Sequence, residues 1–174
     1  VTFTYEVSDG QGGTSTATGT ITVEGTNDGP VASNEALTVT EDGGAVAGQL
    51  DATDIDGDSL TYTQTGAAVP GLTVNADGSY SFDPGAGYQD LGVGETAEVT
   101  FTYEVSDGQG GTSTATGTIT VEGTNDGPVA SDEALTVTED GGAIAGQLDA
   151  TDLDGDSLTY TQTGDAVPGL TVNA

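Results

Sequence analysis

The sequence predicts an all-β fold made of tandem β-sandwiches, about seven strands to each repeat. Three observations carry that prediction. Apolar and polar residues alternate with a period of two wherever the chain is apolar at all. Turn chemistry separates these runs at near-regular spacing. A 98-residue unit also recurs: Val1–Ala76 aligns with Val99–Ala174 with 4 differences in 76 positions, Asn34/Asp132, Val46/Ile144, Ile55/Leu153 and Ala67/Asp165. Self-similarity at a fixed long period is the mark of a modular array.

Taken in order, Leu37 and Val39 alternate with Thr38 and Thr40, and Leu60 and Tyr62 with Thr61 and Thr63. Leu72 with Val74, and Tyr80 with Phe82, continue the pattern. Phe101, Tyr103 and Val105 alternate with Thr100, Thr102 and Glu104, and Ala115, Ile119 and Val121 with Thr116, Thr118 and Thr120. The apolar members are read as core. Threonine suits the outward positions because its β-branch fits a pleated strand. Between the runs lie Asp42-Gly43-Gly44, Asp56-Gly57-Asp58, Asp77-Gly78, Asp107-Gly108 and Gly127-Pro128, which are turn sequences. No stretch keeps an apolar period of about 3.6, so helices are not expected.

The chain opens without Met, inside a strand-like run, and reads as a window on a longer array. Residues 1–28 are expected to be the C-terminal part of one repeat, 29–126 a complete sandwich, and 127–174 the N-terminal part of the next.

Charge narrows the function. The chain has 29 Asp and Glu and no Lys, Arg or His, a formal net charge of −29. Nucleic-acid binding needs basic patches, and docking on anionic membranes needs the same, so neither partner is expected. No apolar run approaches the ~18 residues of a membrane span. With no cysteine there is neither a disulfide framework nor a thiolate metal site. Since no carboxylate has a cationic side chain to pair with, something from solution must neutralise the clustered ones.

The acids recur in register: Glu41-Asp42 after a strand, Asp51/Asp54/Asp56/Asp58, Glu95 before the Phe101 run, Asp107 at the end of that run, and Asn125-Asp126 at the repeat boundary, with Asn27-Asp28 as the earlier copy. Clustered hard oxygens suit Ca²⁺, which takes six to eight oxygen ligands in flexible geometry. Mg²⁺ wants a tighter octahedron, and zinc and copper lack His and Cys ligands. Asp54-Ile55-Asp56-Gly57-Asp58 superficially matches an EF-hand loop, but its Gly comes too early and Thr65 stands where the closing Glu belongs. Asp42, Asp77 and Asp83 are read simply as turn residues, and Glu104 and Glu122 as solvated strand positions.

At these residues the chain resembles two related families. Thr53–Asp58, Glu104–Gly108 and Thr124–Pro128 are similar to the calcium motifs of cadherins. The whole unit, with Val39–Gly43, Asp77–Pro84 and Val99–Pro128, resembles the VCBS-type extender repeat of giant RTX adhesins secreted by type I systems. The resemblance implies an immunoglobulin/cadherin-like sandwich, a bacterial cell-surface location and Ca²⁺ between repeats. Carried over by motif, one junction would use Glu41 and Glu95 from the preceding repeat, Asn125 and Asp126 from the linker, and Asp152 and Asp154 from the following repeat. The earlier junction would use Asn27, Asp28, Asp54 and Asp56, with Asp107 reaching back to it. Gly123 and Gly127 replace polar linker residues of the cadherin motif, and Val93 replaces an acid near Glu95, so one or two ions per junction are expected.

The function this implies is a non-catalytic extender that projects a distal binding domain in cell adhesion or biofilm formation. Its partners would be adjacent repeats in the same chain, with head-to-tail or lateral self-association between chains as a further expectation. A glycan- or protein-binding module, including cadherin-like self-association, is the competing reading. Near-identical repeats and the absence of Trp speak against it. An enzyme would have to work with carboxylate pairs, as in glycoside hydrolysis. Acids in Gly-rich turns are expected to stay ionised, without the raised pKa a general acid needs.

Overall fold

A computed structural model describes residues 1–173. Strands β1 (Thr2–Ser8) and β2 (Thr14–Thr20) form an N-terminal hairpin. The middle repeat follows with β3 (Val31–Ala32), β4 (Glu35–Thr40), β5 (Val46–Gln49), β6 (Ala52–Thr53), β7 (Thr61–Thr65), β8 (Leu72–Val74), β9 (Ser79–Phe82), β10 (Thr96–Ser106) and β11 (Thr112–Glu122). Then come β12 (Val129–Ala130) and β13 (Ala150–Thr151). The one helical piece among the described residues is a single 3-10 turn, Gly85–Gly87.

The middle repeat is a two-layer sandwich. One layer is a four-stranded sheet in the order β4-β11-β10-β7, and the other is built on β5-β9-β8 together with the short β3-β6 pair. β10 and β11 are each 11 residues long and pair along their whole length, so they form the spine of the repeat. Between the layers lie Val39, Leu50, Tyr80, Phe82, Phe101, Tyr103, Val105, Ile119 and Val121, all buried. Every core residue expected from the alternation is at least partly buried, and the Thr residues between them are exposed on β4, β7 and β10 and half-buried on β11.

Two details go beyond the expected strands. The opening strand is broken at Ser33-Asn34: β3 pairs antiparallel with β6, whereas β4 pairs parallel with β11 in the other sheet. The break is held by side chains, because the Tyr103 hydroxyl donates to the Ser33 carbonyl and Thr116 N–H donates to Asn34 Oδ1 at 3.0 Å. The other is β5, which the alternation did not predict because Ala47, Gly48 and Gln49 dilute it. Its small residues have a packing reason. Gly48 lies opposite Tyr80 in the β5-β9 register, and a Cβ there would fall 2.3 Å from the Tyr80 ring. Gly117 bears the same relation to Phe101. In both places an aromatic ring lies on bare backbone across the strand pair.

The flanking segments copy parts of this plan. β1-β2 repeats the β10-β11 register, with Phe3 opposite Gly19, yet Phe3 and Tyr5 are 48% exposed where Phe101 and Tyr103 are buried. β12-β13 repeats β3-β6. The copy of β4, residues 133–138, forms no strand.

Candidate metal centre

Acidic side chains gather at the two ends of the middle repeat, because strand ends and linkers deliver them there. At the first junction Asp54 opens the loop after β6. Its Oδ1 accepts from the N–H groups of Asp56 (3.0 Å) and Asp58 (3.2 Å), curling the loop so that all three carboxylates face together. The preceding linker closes onto this loop. Asp28 N–H donates to Asp56 Oδ2 at 2.7 Å, and Asn27 Nδ2 donates to Asp107 Oδ2 at 2.8 Å. Asp107, at the end of β10, is buried and braced by Gln109 and Gly111 N–H groups at 2.7 and 2.9 Å from Oδ1. The Asn27 hydrogen bond, backed by those of the turn, holds the Asp107 carboxyl below its ordinary range. Asp58 is pushed up, first by desolvation and then by the charges of Asp54, Asp107 and Asp56.

The second junction repeats the arrangement and adds a residue from the preceding repeat. Asp126 N–H donates to Asp154 Oδ2 at 2.8 Å, the 98-residue copy of the Asp28–Asp56 bond. Asp156 N–H donates to Asp152 Oδ1 at 3.0 Å, and Asp152, Asp154 and Asp156 again form a carboxylate cluster. Glu41, just past β4, is 1% exposed. Its main chain is tied to the end of β11 by Glu41 N–H to the Glu122 carbonyl, and its Oε1 accepts from Thr124 N–H at 2.6 Å. Carboxylate oxygens of Glu41, Asp126 and Asp154 lie within 4.8 Å of one another. Asp126 is pushed up by desolvation and then by the charges of Asp42, Asp154, Glu41 and Asp152.

The residues fit a hard divalent cation. Glu41 Oε2, Asp126 Oδ2 and Asp154 Oδ1 are buried atoms with no hydrogen-bond partner, as is Asp54 Oδ2 at the first junction. Unpaired buried carboxylate oxygens are expensive, and the chain has no Lys, Arg or His to compensate them. Ligands on Ca²⁺ at about 2.3–2.6 Å are themselves at most about 5 Å apart, which is the spread of these oxygens. The donor set is all oxygen.

Of the residues expected at the junctions, Asn27, Asp54, Asp56 and Asp107 are brought together at the first, where Asp28 takes part through its backbone N–H, and Glu41, Asp126, Asp152 and Asp154 at the second. Asn125 sits in the same linker and is exposed. Glu95 reaches the junction through its backbone, accepting from Gly123 N–H at 3.0 Å, but its carboxylate turns back to accept from Gly92 N–H. Three further acids lie with them, outside the expected ligand set. Asp58 and Asp156 belong to the same loops as their neighbours, and the repeated Asp-x-Asp-Gly-Asp spacing was the available signal. Asp42 makes the turn read for it, with Gly43 N–H on the Thr40 carbonyl, and also accepts from the Thr124 hydroxyl at 2.7 Å.

Fold and site together define a class of protein: a β-sandwich with acid-lined loops and linkers at both of its ends. Residues 27–123 match the model of the bacterial cadherin-like domain, and the chain belongs to that family. No curated protein matches it. Among solved structures it is similar to human protocadherin-24 EC1-2, at 25% identity and a TM-score of 0.53 over 74% of this chain and 63% of that one. It is also similar to the human desmocollin-1 ectodomain (16% identity, TM-score 0.49, covering 85% of this chain and 29% of that one). An endo-fucoidan hydrolase of glycoside hydrolase family 107 aligns at 30% identity over 71% of this chain but only 19% of that one, with a TM-score of 0.40, and carries no argument about activity. The chain spans less than two thirds of the length of these structures. Cadherin-like domains are extracellular, generally bind Ca²⁺ and are typically non-catalytic. Among the described residues no helix is long and apolar enough to cross a membrane.

Proposed function

We propose that this chain is a non-catalytic extender segment of a bacterial surface adhesin, whose successive repeats are held in line by Ca²⁺ at the linkers. The observation that carries the reading is the Glu41–Asp126–Asp154 cluster. It joins one repeat, the linker and the next repeat through three carboxylates, each with an oxygen that has no partner. When bound, Ca²⁺ supplies the positive charge that the chain lacks. Glu41 holds the end of the middle repeat, Asp126 the linker and Asp154 the following loop, so an ion shared among them opposes bending.

Adjacent repeats of the same chain are the partners in this reading, joined through the linker acids. In this role the array holds a distal binding domain away from the cell, serving adhesion or biofilm formation after type I secretion of the RTX kind. A shallow groove lined by Pro70, Gly71, Asp83, Pro84 and Tyr88 holds a single carboxylate, short of the pair that glycoside hydrolysis uses.

Extracellular Ca²⁺ modules bind at about 10⁻⁴–10⁻³ M. At a ~10-fold excess over Kd a site adds about 1.4 kcal/mol. The effect at one junction is modest, and an array multiplies it. The test is a thermal melt of the chain in millimolar Ca²⁺, in chelator, and in NaCl of matched ionic strength, with X-ray scattering for length. A rise in Tm and a longer, stiffer particle specific to Ca²⁺ are expected. Equal melting and equal dimensions in Ca²⁺ and matched NaCl would refute the proposal.

A further inference from the structure

The second junction holds one polar residue that the proposed ion site does not itself require as a ligand. Thr124 lies between the end of β11 and Asp126. Its N–H donates to Glu41 Oε1 at 2.6 Å. Its hydroxyl stands 2.7 Å from Asp42 Oδ2 and 3.4 Å from Glu41 Oε1. A hydroxyl has one proton to give, and the shorter contact takes it. One residue therefore grips both acids of the Glu41-Asp42 pair, by two different donors.

The consequences differ for the two acids. The N–H satisfies one oxygen of the buried Glu41 carboxylate and leaves Oε2, which has no partner, in the cluster with Asp126 and Asp154. The hydroxyl draws Asp42, an exposed turn residue, onto the linker. The linker itself has Gly123 immediately before Thr124, with no carboxylate to offer there.

We propose that Thr124 is a positioning residue of the cation site: through its hydroxyl it holds the Asp42 carboxylate against the linker, adding a negative charge to that of Asp126 where the linker itself has Gly123. This rests on the reading of the junction as a Ca²⁺ site. Thr124→Val removes the hydroxyl at nearly constant shape while leaving the N–H to Glu41, and Thr124→Ser keeps the hydroxyl.

The experiment is Ca²⁺ titration of the 174-residue chain by calorimetry, with chelator melts alongside. Thr124→Val is expected to weaken one class of sites about 3- to 10-fold in Kd, as loss of one charge-assisted contact would. Thr124→Ser should restore the affinity. Asp42→Asn should weaken binding similarly, and the double variant Asp42→Asn/Thr124→Val no further than Asp42→Asn alone. Unchanged Kd in Thr124→Val, with Asp126→Asn abolishing that class of sites, would overturn the positioning role and leave the Ca²⁺ site standing. A lower chelator Tm without any change in Kd would reduce Thr124 to a structural residue and equally overturn it. No Ca²⁺ binding by the parent chain would remove the Ca²⁺ reading itself.

Discussion

Gly117→Ala tests the packing logic of the fold directly. A Cβ at this position would lie 2.2 Å from Cζ and 2.3 Å from Cε1 of Phe101, which is 4% exposed between the sheets. The contact is with the ring of a core residue, so relief requires the ring or the β10-β11 pair to move. Overpacking of this kind costs about 1–3 kcal/mol. The alanine also removes chain freedom from the unfolded state, a gain of about 0.4–1 kcal/mol where the backbone suits it. The difference is a net loss of about 1–2 kcal/mol, or roughly 5–15 °C in Tm for a repeat of this size. The N-terminal hairpin supplies the control. A Cβ at Gly19 would fall 2.4 Å from Phe3 in the same local sequence, but Phe3 is 48% exposed and free to turn away. Calorimetric melts of both variants should therefore show the middle-repeat transition lowered by Gly117→Ala and left within about 0.5 kcal/mol by Gly19→Ala. An unchanged or raised Tm for Gly117→Ala, or equal damage from both, would refute the argument that these glycines exist to receive rings.

Glu41→Gln should act differently in two solutions: in chelator it relieves a buried unpartnered carboxylate oxygen and raises Tm, by an amount on the order of 1 kcal/mol, while the further rise that millimolar Ca²⁺ gives over chelator shrinks. Equal shifts of one sign in both solutions would count against the junction as a cation site. Burial pushes the Tyr103 phenol from 10.0 up to about 12, so its proton stays on in the folded state when the unfolded chain has begun to lose it. Its contribution to stability is complete below pH 10 and is lost as pH climbs toward about 12. Denaturant titrations across that range, with phenolate absorbance, should show the fall, and it should be smaller in Tyr103→Phe. The same variant loses the hydroxyl bond to the Ser33 carbonyl that pins the strand break, and should cost about 0.5–1.5 kcal/mol at neutral pH by chemical denaturation.

How much of the fold was legible follows from where information sits in a β-sequence. Long strands with one apolar face, such as β10 with Phe101, Tyr103 and Val105, announce themselves by period two and were read with the right face inward. β5 did not, because its defining residue is an absence. Gly48 is a strand residue only because Tyr80 of β9 lies across it, and no local pattern in residues 46–49 carries that pairing. The break at Ser33-Asn34 is likewise a tertiary fact. It depends on a hydroxyl donated from β10, 70 residues away.

The junctions were legible for a different reason. With no basic side chain anywhere, every clustered acid was already a question about an outside cation, and the repeat period told which loops meet. Direction was harder to read than membership. Glu41 and Glu95 both come from the preceding repeat and both lie next to the linker in the hydrogen-bonding pattern. One aims a buried carboxylate at Asp126 and Asp154, while the other folds its carboxylate onto its own loop at Gly92. Asp42 shows the converse: a residue sufficient for its turn is drawn into the site by a threonine 82 residues further on. Turn chemistry and ligand chemistry use the same side chains here. Sequence separates them only where a second contact is itself local, and at these linkers the deciding contacts join chain segments that lie far apart in sequence.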